Sequence, residues 1–311
     1  MKSNKLWFVY TIIVVIAWGV WGALSKLTIN ARFPDTLVYV VWAITMIPPA
    51  LVALHLVGWK LEYHPRAIAL GSAAGLLGAG GQLVLFKVLA IAPAHLIFSF
   101  IALSPLVTIL MALVISREKT TGLGWAGIAL AIVAGAMLPY ETPKEGGGGI
   151  TSWTWVGPAL IVLAAWGIQG FVISHANRVM SAESIFFYMM LTSLLVIPVA
   201  LYMTDFKQDI NWGFKGPYLS AMIQVLNAAG ALLLVYAFRF GKAIIVAPLA
   251  NAGAPVITII LSLLMFKIYP NKISGTGIVL AIVATVLMAL DDGVKSAKVV
   301  ESTPAESKPA A

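Results

Sequence analysis

From residue 6 onward the chain alternates between long, unbroken apolar runs and short polar breaks. A helix rising 1.5 Å per residue needs about 20 apolar residues to cross the hydrocarbon core of a bilayer. On that measure the pattern predicts ten spans, at roughly 6–29, 37–57, 67–90, 94–115, 122–139, 155–175, 184–204, 216–238, 244–266 and 273–290. A transmembrane barrel would instead show strands of about ten residues with every second position polar. The expected fold class is therefore an all-α integral membrane protein of ten transmembrane helices.

The chain is also one half written twice. Residues 127–134, GIALAIVA, return 150 positions later as GIVLAIVA, identical at seven of eight positions. The same offset pairs Pro105 and Thr108 with Pro255 and Thr258, and an offset of 148 pairs Trp18, Gly19 and Gly22 with Trp166, Gly167 and Gly170. The expected domains are a first repeat at 1–138, an outer linker at 139–154, a second repeat at 155–290 and a disordered cytoplasmic tail at 291–311. Five spans per repeat is an odd number, so the second copy enters the membrane from the opposite side. Inverted repeats of this kind underlie alternating access in secondary transporters.

Composition agrees with a membrane solvent: 60% of the residues are hydrophobic and 10% are charged. The net charge of +8 is spread over loops rather than gathered into a patch with aromatics, which argues against nucleic acid. With a cytoplasmic N-terminus the basic loop residues divide two to one in favour of the inner side, as at Lys60, Arg66, Arg178 and Arg239 against Arg32, Lys207 and Lys215. This places both termini in the cytoplasm and the chain in the cytoplasmic membrane. The first apolar run is too long for a signal peptide and is expected to remain. With no cysteine, disulfides and thiolate metal sites are excluded.

Ten spans in five-plus-five order, the Trp18-Gly19-x-x-Gly22 opening, the fourth segment ending in Arg117-Glu118-Lys119, and Gly- and Ala-rich fifth and tenth segments resemble the drug/metabolite transporter superfamily, EamA type. The resemblance implies a carrier of small metabolites with a central cavity, in a family where many members export. One departure is that Glu118 has Ile268 as its counterpart, so the two halves lack a symmetric charge at those helix ends.

Candidate binding residues follow from depth and polarity. Trp18, Trp166, Asn227, Pro105 and Pro255 fall near the midplane, where residues related by inversion share a level. Each proline removes an N–H and frees a carbonyl four residues back, at Ile101 and Asn251, and marks a kink or hinge. Trp18, Trp21 and Ser25 share a helical face, with Trp42 as an expected neighbour; such a face stacks on a flat or apolar solute, or serves packing. Gln82, Gln169, Gln224, Asn227 and Asn251 are amides inside spans that need partners, either other helices or substrate. Lys26 and Lys87 lie roughly 12 Å outward of the midplane, as headgroup anchors or as charges at the cavity mouth. His95 and Ser99 share a face near the outer end of the fourth span.

All twelve Asp and Glu residues fall outside or at the ends of the spans. Exchange of protons for organic cations needs a buried acid, so a neutral, zwitterionic or anionic solute is favoured. The chain lacks a Walker-type Gly-x-x-x-x-Gly-Lys-Ser/Thr loop for ATP, and no cofactor, metal site or catalytic constellation is expected. The reading is a secondary transporter of an amino acid-like, neutral or anionic metabolite, working as an exporter. Its alternatives are an uptake permease for sugars or other neutral solutes and a non-transporting receptor or assembly protein. The expected partners are the lipid bilayer and the solute, with a proton or sodium coupling ion and a homodimer left open.

Overall fold

The computed structural model describes residues 6–115, 121–137, 153–241, 243–266, 271–273, 275–280, 282–284, 286–287 and 290. The linker between the repeats, the tail, the Arg117-Glu118-Lys119 motif and Lys242 lie outside the described residues, as do the side chains of His95, Ser99, Asn251 and Pro255.

Among the described residues the secondary structure is helical. In chain order the helices are α1 (Leu6–Leu24), α2 (Lys26–Asn30), α3 (Asp35–Thr45), α4 (Ile47–Leu56), α5 (Pro65–Ile91), α6 (Ala94–Ile101), α7 (Pro105–Val114) and α8 (Gly122–Met137), followed by α9 (Val156–Ala176), α10 (Ala182–Leu195), α11 (Ile197–Tyr202), α12 (Leu219–Phe240) and α13 (Ala243–Phe266). Six helical stretches are long and apolar enough to cross a membrane: Leu6–Asn30, Asp35–Leu56, Pro65–Ile91, Val156–Ala176, Ala182–Tyr202 and Phe214–Phe240. They match six of the ten expected segments to within two residues at either end. The last expected segment is helical where it is described, over 275–280 and 282–284.

Prolines shape the interruptions. The second span bends at Met46 ahead of Pro48 and Pro49, and 150 residues later the second span of the other half bends at Val196 ahead of Pro198. Each proline lacks the N–H that would continue the ladder. The expected fourth span is broken into α6 and α7 at residues 102–104, and Pro105 begins the new helix. The Ile101 carbonyl, expected to be free, accepts the Ser104 N–H at 2.8 Å, so the chain closes its own gap with a tight turn. Its counterpart Pro255 sits inside the continuous helix α13.

Large apolar side chains stay exposed along the outer faces, among them Phe8, Ile12 and Ile16 on α1, Leu160 and Ile161 on α9, and Met222 and Val225 on α12. A water-soluble protein does not leave such faces bare, whereas lipid covers them. Inside, the halves interlock: α1 packs chiefly on α12 and α13, and α9 chiefly on α5 and α7. Glycines permit the close approach. A Cβ on Gly19 would lie 2.5 Å from the Ile257 Cβ, and one on the equivalent Gly167 would lie 2.5 Å from the Val107 Cβ and 2.6 Å from the Ser104 carbonyl. The glycine stripe of α5 divides its work: Gly71 and Gly75 face Tyr188 and Thr192 of α10, while Gly78 and Gly81 face Gln169 and Trp166 of α9.

Candidate functional site

At the crossing of the two halves lies a cavity with about 770 Å³ of empty space, counting what is open to solvent. Seven predicted site residues line it: Trp18, Trp21, Trp42, Gln82, Trp166, Gln169 and Asn227. Helices from both repeats supply them, because α1 and α9 each lie against the other half.

Asn227 organises one wall. Its side-chain oxygen accepts the Trp42 indole N–H at 2.6 Å, and its main-chain carbonyl accepts that of Trp18 at 3.2 Å. Trp21 donates instead to the Gln224 side-chain oxygen at 2.8 Å. Gln224 is fully buried and does not line the cavity; it holds Trp21 in place from behind. On the opposite wall the Gln169 amide donates to the Ala74 carbonyl at 3.0 Å. The indoles of Trp18 and Trp166 lie against Gly230 and Gly81, two glycines 149 positions apart.

Gln82 is different. It is 2% exposed, lines the cavity, and its Nε2 has no hydrogen-bond partner among the described residues. An unpaired buried amide costs about 1 to 3 kcal/mol, a penalty that an acceptor arriving in the cavity would remove.

The two lysines are elsewhere. Lys26 donates to the Ala92 carbonyl at 2.8 Å, and Lys87 pairs with Asp35 at 3.6 Å; neither lines the cavity. The described residues lining it carry no charge. Sequence reasoning missed Met46, Ser104, Met189, Ser193 and Phe238 as lining residues. Ordinary apolar and hydroxyl residues give no signal inside a span. Ala231, which also lines the cavity, was findable as the repeat counterpart of Gln82, 149 positions on.

Polar contacts close both ends of the bundle. Asp35, in the first turn of α3, faces Lys87 of α5; its counterpart 148 residues on, Glu183 in the first turn of α10, faces Arg239 of α12 at 3.5 Å and accepts the Tyr236 hydroxyl at 2.7 Å. In the loop before α5, the Glu62 carboxylate accepts the Ser181 N–H at 3.0 Å and the hydroxyls of Ser181 and Ser184. Burial would raise its pKa, but those hydrogen bonds outweigh burial and hold it below the usual glutamate value.

The described residues contain no cluster of three or more His, Cys, Asp or Glu able to hold a metal ion.

The EamA-like transporter family matches residues 5–138 and again 153–290. The chain belongs to this family. It is thus a multi-pass membrane protein of a family that transports small solutes, and the family matches it once per half. An uncharacterized protein of Methanocaldococcus jannaschii is 30% identical over 133 residues, which is 43% of this chain and 94% of the relative. That relative is about as long as one of the two halves. A crystal structure at 17% identity superposes with a TM-score of 0.64 over 95% of this chain and 99% of its own, and shares the fold.

Proposed function

We propose that the chain is a secondary transporter that carries a small amino acid-like, neutral or zwitterionic metabolite by alternating access. Ten spans arranged as two inverted five-helix repeats supply the two packings, one open to each side. The observation that carries the reading is the cavity between the halves, walled by four indoles and three amides and free of charge among its described lining residues. Such a lining suits a solute with an apolar part and hydrogen-bonding groups, and gives an isolated ion little compensation for lost water. An anionic solute would need the lysines, and both are engaged away from the cavity. Export across the cytoplasmic membrane is the direction that the family resemblance implies, and the loop charges support both termini inside.

The test is solute counterflow in proteoliposomes. Trp18→Ala and Gln169→Ala should each reduce flux at least tenfold while the purified variants keep a cooperative thermal transition; unchanged flux in both would remove the cavity from the pathway. Everted vesicles that accumulate the solute would support export, and right-side-out accumulation would favour uptake. Stabilisation of the protein by anions that disappears in Lys26→Met and Lys87→Met would bring the lysines into the site after all.

A further inference from the structure

Trp18, Trp21 and Trp166 have a cavity on both sides. Beyond them from the main cavity lies a second space of about 350 Å³, again counting what is open to solvent, bounded otherwise by Phe98, Ile101 and Ala102 at the end of α6 and by Ala254 and Thr258 of α13. The main cavity runs the other way, along α12 from Asn227 to Phe238, about 16 Å toward the end that holds Arg239 and Glu183. The three indoles therefore form a partition, with chambers of unlike chemistry.

Among the described residues, the second chamber offers a solute almost no hydrogen bonds. The hydroxyl of Thr258, the one among its described lining residues, is donated to the Gly19 carbonyl at 2.9 Å. The N–H groups of Trp18 and Trp21 are spent on Asn227 and Gln224, and Trp166 sets its N–H edge against Gly81. The main cavity, by contrast, holds the unpaired Gln82 amide.

We infer that the chamber behind the partition is a second subsite, which takes the apolar tail of the carried solute while the polar head stays among the amides of the main cavity. This rests on the transport reading above and narrows it to amphipathic solutes. Trp21 is buried, edge-on to Phe98 at 5.4 Å and tied to Gln224, so it is the fixed element of the partition. Trp18 and Trp166 are half-buried, and the tail passes between them.

The test uses the full chain in detergent and a homologous series of straight-chain L-2-amino acids, from alanine to 2-aminooctanoate, with thermal stabilisation as the readout. The quantity compared is the affinity for a long member relative to alanine within each variant. Ala102→Phe and Ala254→Phe, which fill the chamber from two different helices, should lower that ratio about tenfold, the loss from excluding roughly two methylene groups. Phe98→Ala, which enlarges the chamber, should shift the optimum to a longer tail, and it keeps the test decisive if a filled variant does not fold. Binding in the wild type that is flat with tail length, or an optimum that none of the variants moves, overturns the subsite and leaves the transport reading standing. A wild-type protein stabilised by no member of the series overturns the subsite together with the amino acid-like head group of the proposed solute.

Discussion

Thr108 donates its hydroxyl to the Gly167 carbonyl at 2.7 Å, tying the first half of the chain to the second. The repeat counterparts return the contact, Thr258 to Gly19 at 2.9 Å. Each half thus holds the other's first helix by the same bond. Thr108→Val and Thr258→Val should each lower unfolding stability by about 1 kcal/mol, and the corresponding serine variants should restore most of it. Urea-dependent unfolding in mild detergent measures both, and a loss in the serine variants with none in the valine variants would show that the methyl contacts matter rather than the hydroxyls.

The paired glycines differ in what surrounds them. Gly19→Ala meets the Ile257 side chain at 2.5 Å and the Ala254 main-chain carbonyl at 3.1 Å, while Gly167→Ala meets the Val107 side chain at 2.5 Å and the Ser104 main-chain carbonyl more closely, at 2.6 Å. Both substitutions should cost about 1 to 3 kcal/mol through overpacking. Ile257→Ala should rescue Gly19→Ala only in part, because it removes the Cγ2 at 2.7 Å and keeps the Cβ at 2.5 Å. Val107→Ala should leave Gly167→Ala largely unrescued, because the backbone is still there. Melting temperatures of the two double variants decide the point.

The ion pairs of Glu183 and Asp35 should respond unequally to loss of the cation. Glu183 is 7% exposed, so Arg239→Ala strands a buried carboxylate on Tyr236 alone; the cost should be on the order of 2 kcal/mol, allowing for the partial exposure of Arg239. Adding Glu183→Gln should recover most of it. Lys87→Ala frees the more exposed Asp35 and should cost less than about 1 kcal/mol. Thermal unfolding of the three variants checks the order.

Glu62 supplies a pH dependence with a defined sign. Its folded pKa lies below the ordinary glutamate value of 4.5. The stabilisation is therefore complete above that value and is lost as pH falls through the lowered folded pKa. Melting temperature should drop on acidification in the wild type, and Glu62→Gln should flatten that part of the curve. A slope that Glu62→Gln leaves unaltered would assign the acid sensitivity to other carboxylates.

The helices were legible because lipid demands continuous apolar runs, and a run such as 67–90 leaves little freedom in where its helix, Pro65–Ile91, can begin and end. The amides were legible for the converse reason: Gln82, Gln169 and Asn227 are costly in lipid and turn inward. What a polar side chain does once inside depends on its neighbours. Gln224 supports Trp21 instead of meeting the cavity, and Lys26 finds a main-chain carbonyl rather than a mouth. The bends at Met46 and Val196 were not predicted, although prolines follow both, because an apolar run reads the same whether its helix is straight or bent.

The exchange of first helices also bears on synthesis. Gly19 leaves the ribosome 239 residues before Thr258, the partner it meets in the finished fold. At about 5 to 20 residues per second, α1 waits roughly ten to fifty seconds in the bilayer before α13 exists. During that interval the face of α1 destined for α12 and α13 is turned to lipid or to a provisional neighbour, so native packing of the earliest helix belongs to the last stage of assembly.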